Sequence, residues 1–114
     1  MRQDLRKRGI LMDFRINGST WVIEEVEEAT INNETKNDYC LGLTNYKTQK
    51  ILLLKGQPNI LKTLAHELTH VWLYEFGHNQ SEKQFNYEDM CEIVASCYQF
   101  INEMVEGYKG YTKE

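Results

Sequence analysis

One proline, no Cys-x-x-Cys pair and no long apolar run bound what this 114-residue chain can be. A helix needs roughly 20 apolar residues to cross a bilayer, so no membrane partner is expected. The cysteines, Cys40, Cys91 and Cys97, are odd in number. That pattern suggests neither a disulfide framework nor a thiolate zinc knuckle, and predicts reduced, small, mostly buried residues. Basic charge is also scarce, with 13 Lys and Arg against 17 Asp and Glu and a net charge of −4. Nucleic-acid footprints are basic, so no nucleic-acid partner is expected. The one basic run, Arg2 to Gly9, is interrupted by Asp4; residues 1–9 read as a flexible solvated tail, with no apolar segment to make it a signal peptide. A cytoplasmic location follows. A chain of this length can bury roughly two thirds of its unfolded surface, enough for a single domain over residues 1–114.

Hydrophobic period divides the chain into a sheet half and a helical half. Ile10, Met12, Phe14 and Ile16 alternate up to Asn17-Gly18, a two-residue hairpin signal, and Trp21, Ile23 and Val26 continue into a second strand. Glu27 to Asp38 is polar and turn-rich and reads as a solvated loop. A second hairpin is predicted with strands near Tyr39–Thr44 and Gln49–Leu54 around "NYKT". After Pro58 the spacing changes to helical: Leu61, Leu64, Ala65, Leu68, Val71 and Trp72 share a face, and Gly77 supplies a stop. A last helix is predicted from just after Asn86 to Gly107, with Met90, Ile93, Val94, Cys97, Ile101, Met104 and Val105 as its stripe. The expected architecture is α+β: a small antiparallel sheet of two hairpins packed on two helices.

The stretch "TLAHELTHVW", residues 63–72, carries the chemistry. Residues four apart on a helix are neighbours, so His66 and His70 project side by side and can hold one metal ion through neutral imidazoles. They face away from the Leu61, Leu64, Leu68 stripe. Glu67, one residue round from His66, can reach a metal-activated water without being a ligand, which is the HExxH arrangement of zinc peptidases. A catalytic zinc takes three protein ligands and leaves a position open. His78 is a poor third ligand, because a helix continuing to Phe76 carries the chain roughly 10 Å from the metal. Glu88, opening the next helix after a loop long enough to reverse direction, fits better. It shares a side with Cys91 and Ala95, and Glu92 one turn on could accept the second N–H of a ligand histidine. Tyr46, Tyr87 and His78 are the candidate oxyanion donors.

"INGSTW", "GLTNYKTQKILLLKG", "TLAHELTHVW" and "YEDMCEIVA" together resemble the minimal gluzincin metallopeptidases of the ImmA/IrrE type, found in bacteria, phages and mobile elements. The resemblance spans roughly residues 10 to 105. It implies a zincin-like fold, one zinc per chain on His66, His70 and Glu88, Glu67 as general base, and a protein or peptide substrate, such as a regulatory protein. Cys91 and Glu92 stand where that family has Ala and Asp or Asn. "HELTHVW" is also similar to SprT-like proteins, DNA-associated proteases with a third histidine, and low basic charge argues against that alternative. The other alternative is a zinc-binding regulatory module that cleaves nothing.

Overall fold

A computed structural model of the chain describes residues 11–35, 40–77 and 86–113. The expected tail over residues 1–9, Tyr39 and His78 lie outside them. The chain runs β1 (Leu11–Ile16), β2 (Ser19–Val26), α1 (Glu28–Thr35), β3 (Gly42–Asn45), β4 (Lys50–Leu54), α2 (Ile60–Glu75) and α3 (Tyr87–Lys113). Among the described residues no helix is long and apolar enough to cross a membrane.

Both hairpins form. Asn17 and Gly18 turn β1 into β2 with φ of 49° and 82°, the left-handed pair that a type I′ turn requires. Between β3 and β4, Asn45 Oδ1 accepts the backbone N–H groups of Lys47 and Thr48 at 3.1 Å each, an Asx turn. The sheet is mixed, however, not antiparallel. Its order is β1-β2-β4-β3, and β4 pairs parallel to β2 from Val22↔Lys50 to Val26↔Leu54. The physical reason is the apolar run Ile51, Leu52, Leu53, buried on both faces. Such a strand is stable only inside a sheet covered on two sides, and the crossover through α1 brings it back alongside β2.

That crossover is the second departure, since Glu28–Thr35 is helix where a loop was expected. Its sequence has no apolar stripe. One residue decides it: Ile31 is fully buried against Val26 and Leu52, with Cys40, Leu43 and Leu54 around it. Tertiary packing of a single side chain here overrides a sequence without period.

The opposite face of the sheet holds the main core. Phe14, Ile16, Trp21, Ile23, Ile51 and Leu53 pack on Leu64, Leu68 and Val71 of α2 and Tyr108 of α3. Each such apolar side chain contributes about 1.5–3 kcal/mol on full burial. Three carboxylates then tie α2 and α3 to the sheet. Glu25 on β2 accepts the Tyr108 hydroxyl, Glu67 on α2 accepts Thr44 of β3, and Glu75 on α2 accepts Trp21 Nε1 at 2.8 Å and Ser19 Oγ at 3.3 Å.

α3 begins where expected, with Asn86 and Asp89 exchanging side-chain to backbone bonds at 2.8 and 3.2 Å, a capping box. It does not stop at Gly107 but continues to Lys113. Interior glycine costs a helix about 1 kcal/mol, and the burial of Tyr108 together with its bond to Glu25 offsets that cost. The predicted stripe is buried mainly in its C-terminal half. Tyr87, Met90, Val94 and Tyr98, all in the N-terminal half of α3, stay exposed.

Candidate active site

The four buried residues of α2 are Leu64, Glu67, Leu68 and Val71. This spacing of i, i+3, i+4 and i+7 is the core-facing stripe of a helix, so Glu67 occupies a position that packing alone would give to an apolar residue. Glu67 is 7% exposed. A buried carboxylate needs a partner, and Thr44 supplies it: its Oγ1 donates to Glu67 Oε1 at 2.7 Å and lies 3.3 Å from the Glu67 carbonyl.

Close approach of β3 to α2 depends on Gly42. A Cβ there would lie 2.7 Å from Thr63 Cγ2 and 3.1 Å from both Cγ and Oε2 of Glu67. Residues 42 and 44 share the sheet face toward α2, so the missing side chain at one and the hydroxyl at the other together seat the Glu67 carboxylate. Gln57 secures the N-terminal end of the helix, donating to Leu41 O at 2.8 Å and Leu54 O at 3.0 Å while accepting Thr63 Oγ1 at 2.6 Å. Glu75 secures the other end. Asn17 Nδ2 reaches its carbonyl at 2.8 Å, so α2 is fixed near both termini and in the middle.

On that fixed helix His66 is exposed and His70 half-buried, with ring centroids 5.0 Å apart. The two imidazoles fit two ligand positions of one metal ion, as the i, i+4 spacing predicts. Among the described residues no set of three or more His, Cys, Asp or Glu side chains is gathered for a metal. Glu88 and Glu92 are both exposed on the first turns of α3. At 100° per residue Glu88 lies about 180° round the helix from Cys97, the buried cysteine of α3. Glu88 therefore sits on the side of α3 turned from its packed face.

Of the oxyanion candidates, Tyr46 packs on Tyr74 with centroids 4.7 Å apart and edge-on to Trp21 at 6.3 Å. Tyr74 follows His70 by one turn. Tyr87 is exposed and His78 lies outside the described residues. The cysteines are free, and Cys97 is buried, which pushes its thiol above the usual range against a smaller opposing backbone hydrogen bond. Cys40 is half-buried and donates to Gly42 O at 2.9 Å; Cys91 is exposed rather than buried.

A cavity of about 550 Å³ opens beside Glu67 and His66. It runs toward the first turn of α2 and is lined by Leu41 and Gly42 and by Pro58 and Lys62. Thr44 and Glu75 were missed as anchors in the sequence. Their signals were a polar residue at an inward strand position and an acid in a helix's last turn, where the macrodipole disfavours it.

No protein-family model, curated protein or solved structure matches this chain.

Proposed function

We propose that the chain is a zinc-dependent peptidase in which Glu67 is the general base. The observation that carries this reading is the placement of Glu67. Of the three carboxylates described above that hold α2 and α3 to the sheet, it alone lines the cavity and neighbours a histidine pair. Packing alone would favour leucine there.

A bound zinc ion, held by His66 and His70 with Glu88 as the proposed third ligand, would polarise the scissile carbonyl and acidify water. The other roles belong to the chain. The Thr44 bond to Oε1 of Glu67 leaves Oε2 for the attacking water's proton, which Glu67 then returns to the leaving amine. β3 is an edge strand. Leu54 N–H donates to Leu41 O at 2.9 Å, and by the alternation of an antiparallel ladder the amides of residues 41, 43 and 45 face β4 while those of 42 and 44 face outward. An extended peptide can pair with that outward edge, past Glu67.

The test has two arms. Glu67→Gln keeps an acceptor for Thr44, so folding and zinc content should stay near wild type while peptide hydrolysis falls about 10²- to 10⁴-fold; undiminished hydrolysis would reject the mechanism. In elemental analysis, His66→Ala and His70→Ala should abolish zinc binding, Glu88→Ala should weaken it and His78→Ala should not. A Glu88 ligand requires the first turns of α3 to rotate or close toward α2. Loss of zinc in His78→Ala but not in Glu88→Ala would replace Glu88 by His78.

A further inference from the structure

The cavity extends past the candidate centre, and its far half has a chemistry of its own. Lys62 and His66 are four residues apart on α2 and both line it. They are separated by about 6 Å of helix rise. Residues two apart in an extended peptide point the same way and are separated by about 6.6 Å. A peptide lying along β3 with one residue beside His66 therefore presents the side chain two positions away to Lys62. No carboxylate among the described residues pairs with Lys62 or with Lys47, whereas Lys50, Lys55 and Lys109 each have an acidic partner, and of the two unpaired lysines Lys62 is the one that lines the cavity. Glu67 also carries negative charge into the cavity, but its carboxylate is bonded to Thr44 at the inner end. The outer lip is apolar, formed by Leu41, 51% exposed, and the exposed Pro58.

We propose that this half of the cavity is a substrate subsite for a carboxylate, with Lys62 as the recognising cation and Leu41 and Pro58 packing on the apolar stem. The inference rests on the peptidase reading and adds a substrate class: peptides with an acidic residue, glutamate by stem length, two positions from the bond cut. Both a glutamate side chain and a free C-terminal carboxylate carry this chemistry. Lys62 touches neither the candidate base nor the metal pair through any hydrogen bond, so it acts on specificity.

Two measurements test it with the full chain. In the first, zinc-loaded wild type and Lys62→Glu digest a proteome-derived peptide library and the cut sites are read by mass spectrometry. In the second, Glu67→Gln and Glu67→Gln/Lys62→Glu are bound to arrays of decapeptides scanned through every residue at each position. The expected result is enrichment of Glu at one position, about tenfold, replaced by Lys or Arg at that position when Lys62 becomes Glu. Sensitivity to Glu→Gln in the peptide identifies the internal side chain, and sensitivity to C-terminal amidation identifies the terminal carboxylate. Cleavage without acidic enrichment, or with enrichment that Lys62→Glu leaves unmoved, overturns the subsite and leaves the peptidase reading intact. Lys62-dependent acidic binding on the array with no cleavage by wild type overturns the peptidase reading and keeps the carboxylate preference. Absence of both overturns both.

Discussion

The Thr44 hydroxyl donates to the Glu67 carboxylate at 2.7 Å, joining the edge strand of the sheet to the middle of the helix that carries both candidate metal ligands. This bond gives Glu67 a structural role beside its proposed chemical one. Thr44→Val keeps the shape and removes the donor, leaving a buried carboxylate oxygen without its partner, which costs about 1–3 kcal/mol. The expected outcome is a lower urea midpoint at unchanged m-value, restored largely by Thr44→Ser. Equal midpoints for the Val and Ser variants would show that the bond contributes nothing to stability.

Gly42 allows that contact by having no side chain. In Gly42→Ala the new methyl must displace Thr63, whose Cγ2 would be 2.7 Å away, or push β3 off α2. Overpacking of this kind costs about 1–3 kcal/mol. Thr63→Ser removes the clashing methyl and keeps the hydroxyl that bonds Gln57. In denaturation of all four chains of this double-mutant cycle, Gly42→Ala should cost less in the Thr63→Ser background. Additive costs would place the crowding at Glu67 instead.

What the sequence made legible, and what it hid, follows from how locally each feature is determined. The Asn17-Gly18 turn, the Asn86 cap and the HExxH spacing are set within a few residues, and the chain carries them on its face. Strand pairing is not local: β4's unbroken apolar run was visible, yet its parallel partner depends on where α1 returns the chain. α1 itself rests on Ile31, one residue without a period to announce it. The same limit applies at the site. His66, His70 and Glu67 lie on one helix and were legible as candidates from spacing, whereas Thr44 and Gly42 reach Glu67 only through the tertiary approach of β3. Glu88 depends on how α3 is turned relative to α2, which helical period cannot specify.

Tyr108 provides a pH-dependent test of the α3 anchor. Burial, then its bond to Glu25 and that carboxylate's charge, push the phenol far above its usual range. The folded chain therefore retains a proton that the unfolded chain releases near pH 10. Stability from this group is fully present below that pH and is lost as pH rises above it. Tyr108→Phe lacks the bond to Glu25 and should be about 1.5–3 kcal/mol less stable at pH 7, the range for a hydrogen bond to a charged acceptor. Above pH 10 wild type should lose up to about 1.4 kcal/mol per pH unit relative to the variant, so the two stability curves converge. Parallel curves between pH 9 and 12 would show that Tyr108 ionises in the folded chain.

The outward-facing amide of Thr44 is the remaining test of how a substrate lies. Proline at 44 would remove the amide but also disturb the hydroxyl that holds Glu67, and proline at Leu43 would break a ladder bond to β4, because that amide faces Leu52. A cleaner probe replaces the residue 43–44 amide by an ester, keeping the threonine side chain; Cys40 provides a ligation site four residues upstream. The lost donor faces no strand of this sheet, and the Leu43 carbonyl, a weaker acceptor as an ester, still faces Leu52, so zinc content should stay close to wild type and melting should fall only slightly. If a peptide adds to β3, its paired carbonyl loses one hydrogen bond, and kcat/KM for a cleaved library peptide should fall about three- to tenfold, the equivalent of about 0.7–1.4 kcal/mol. An unchanged kcat/KM would mean that the substrate runs elsewhere, and the cavity would then have to be entered from the α2 side rather than along the strand.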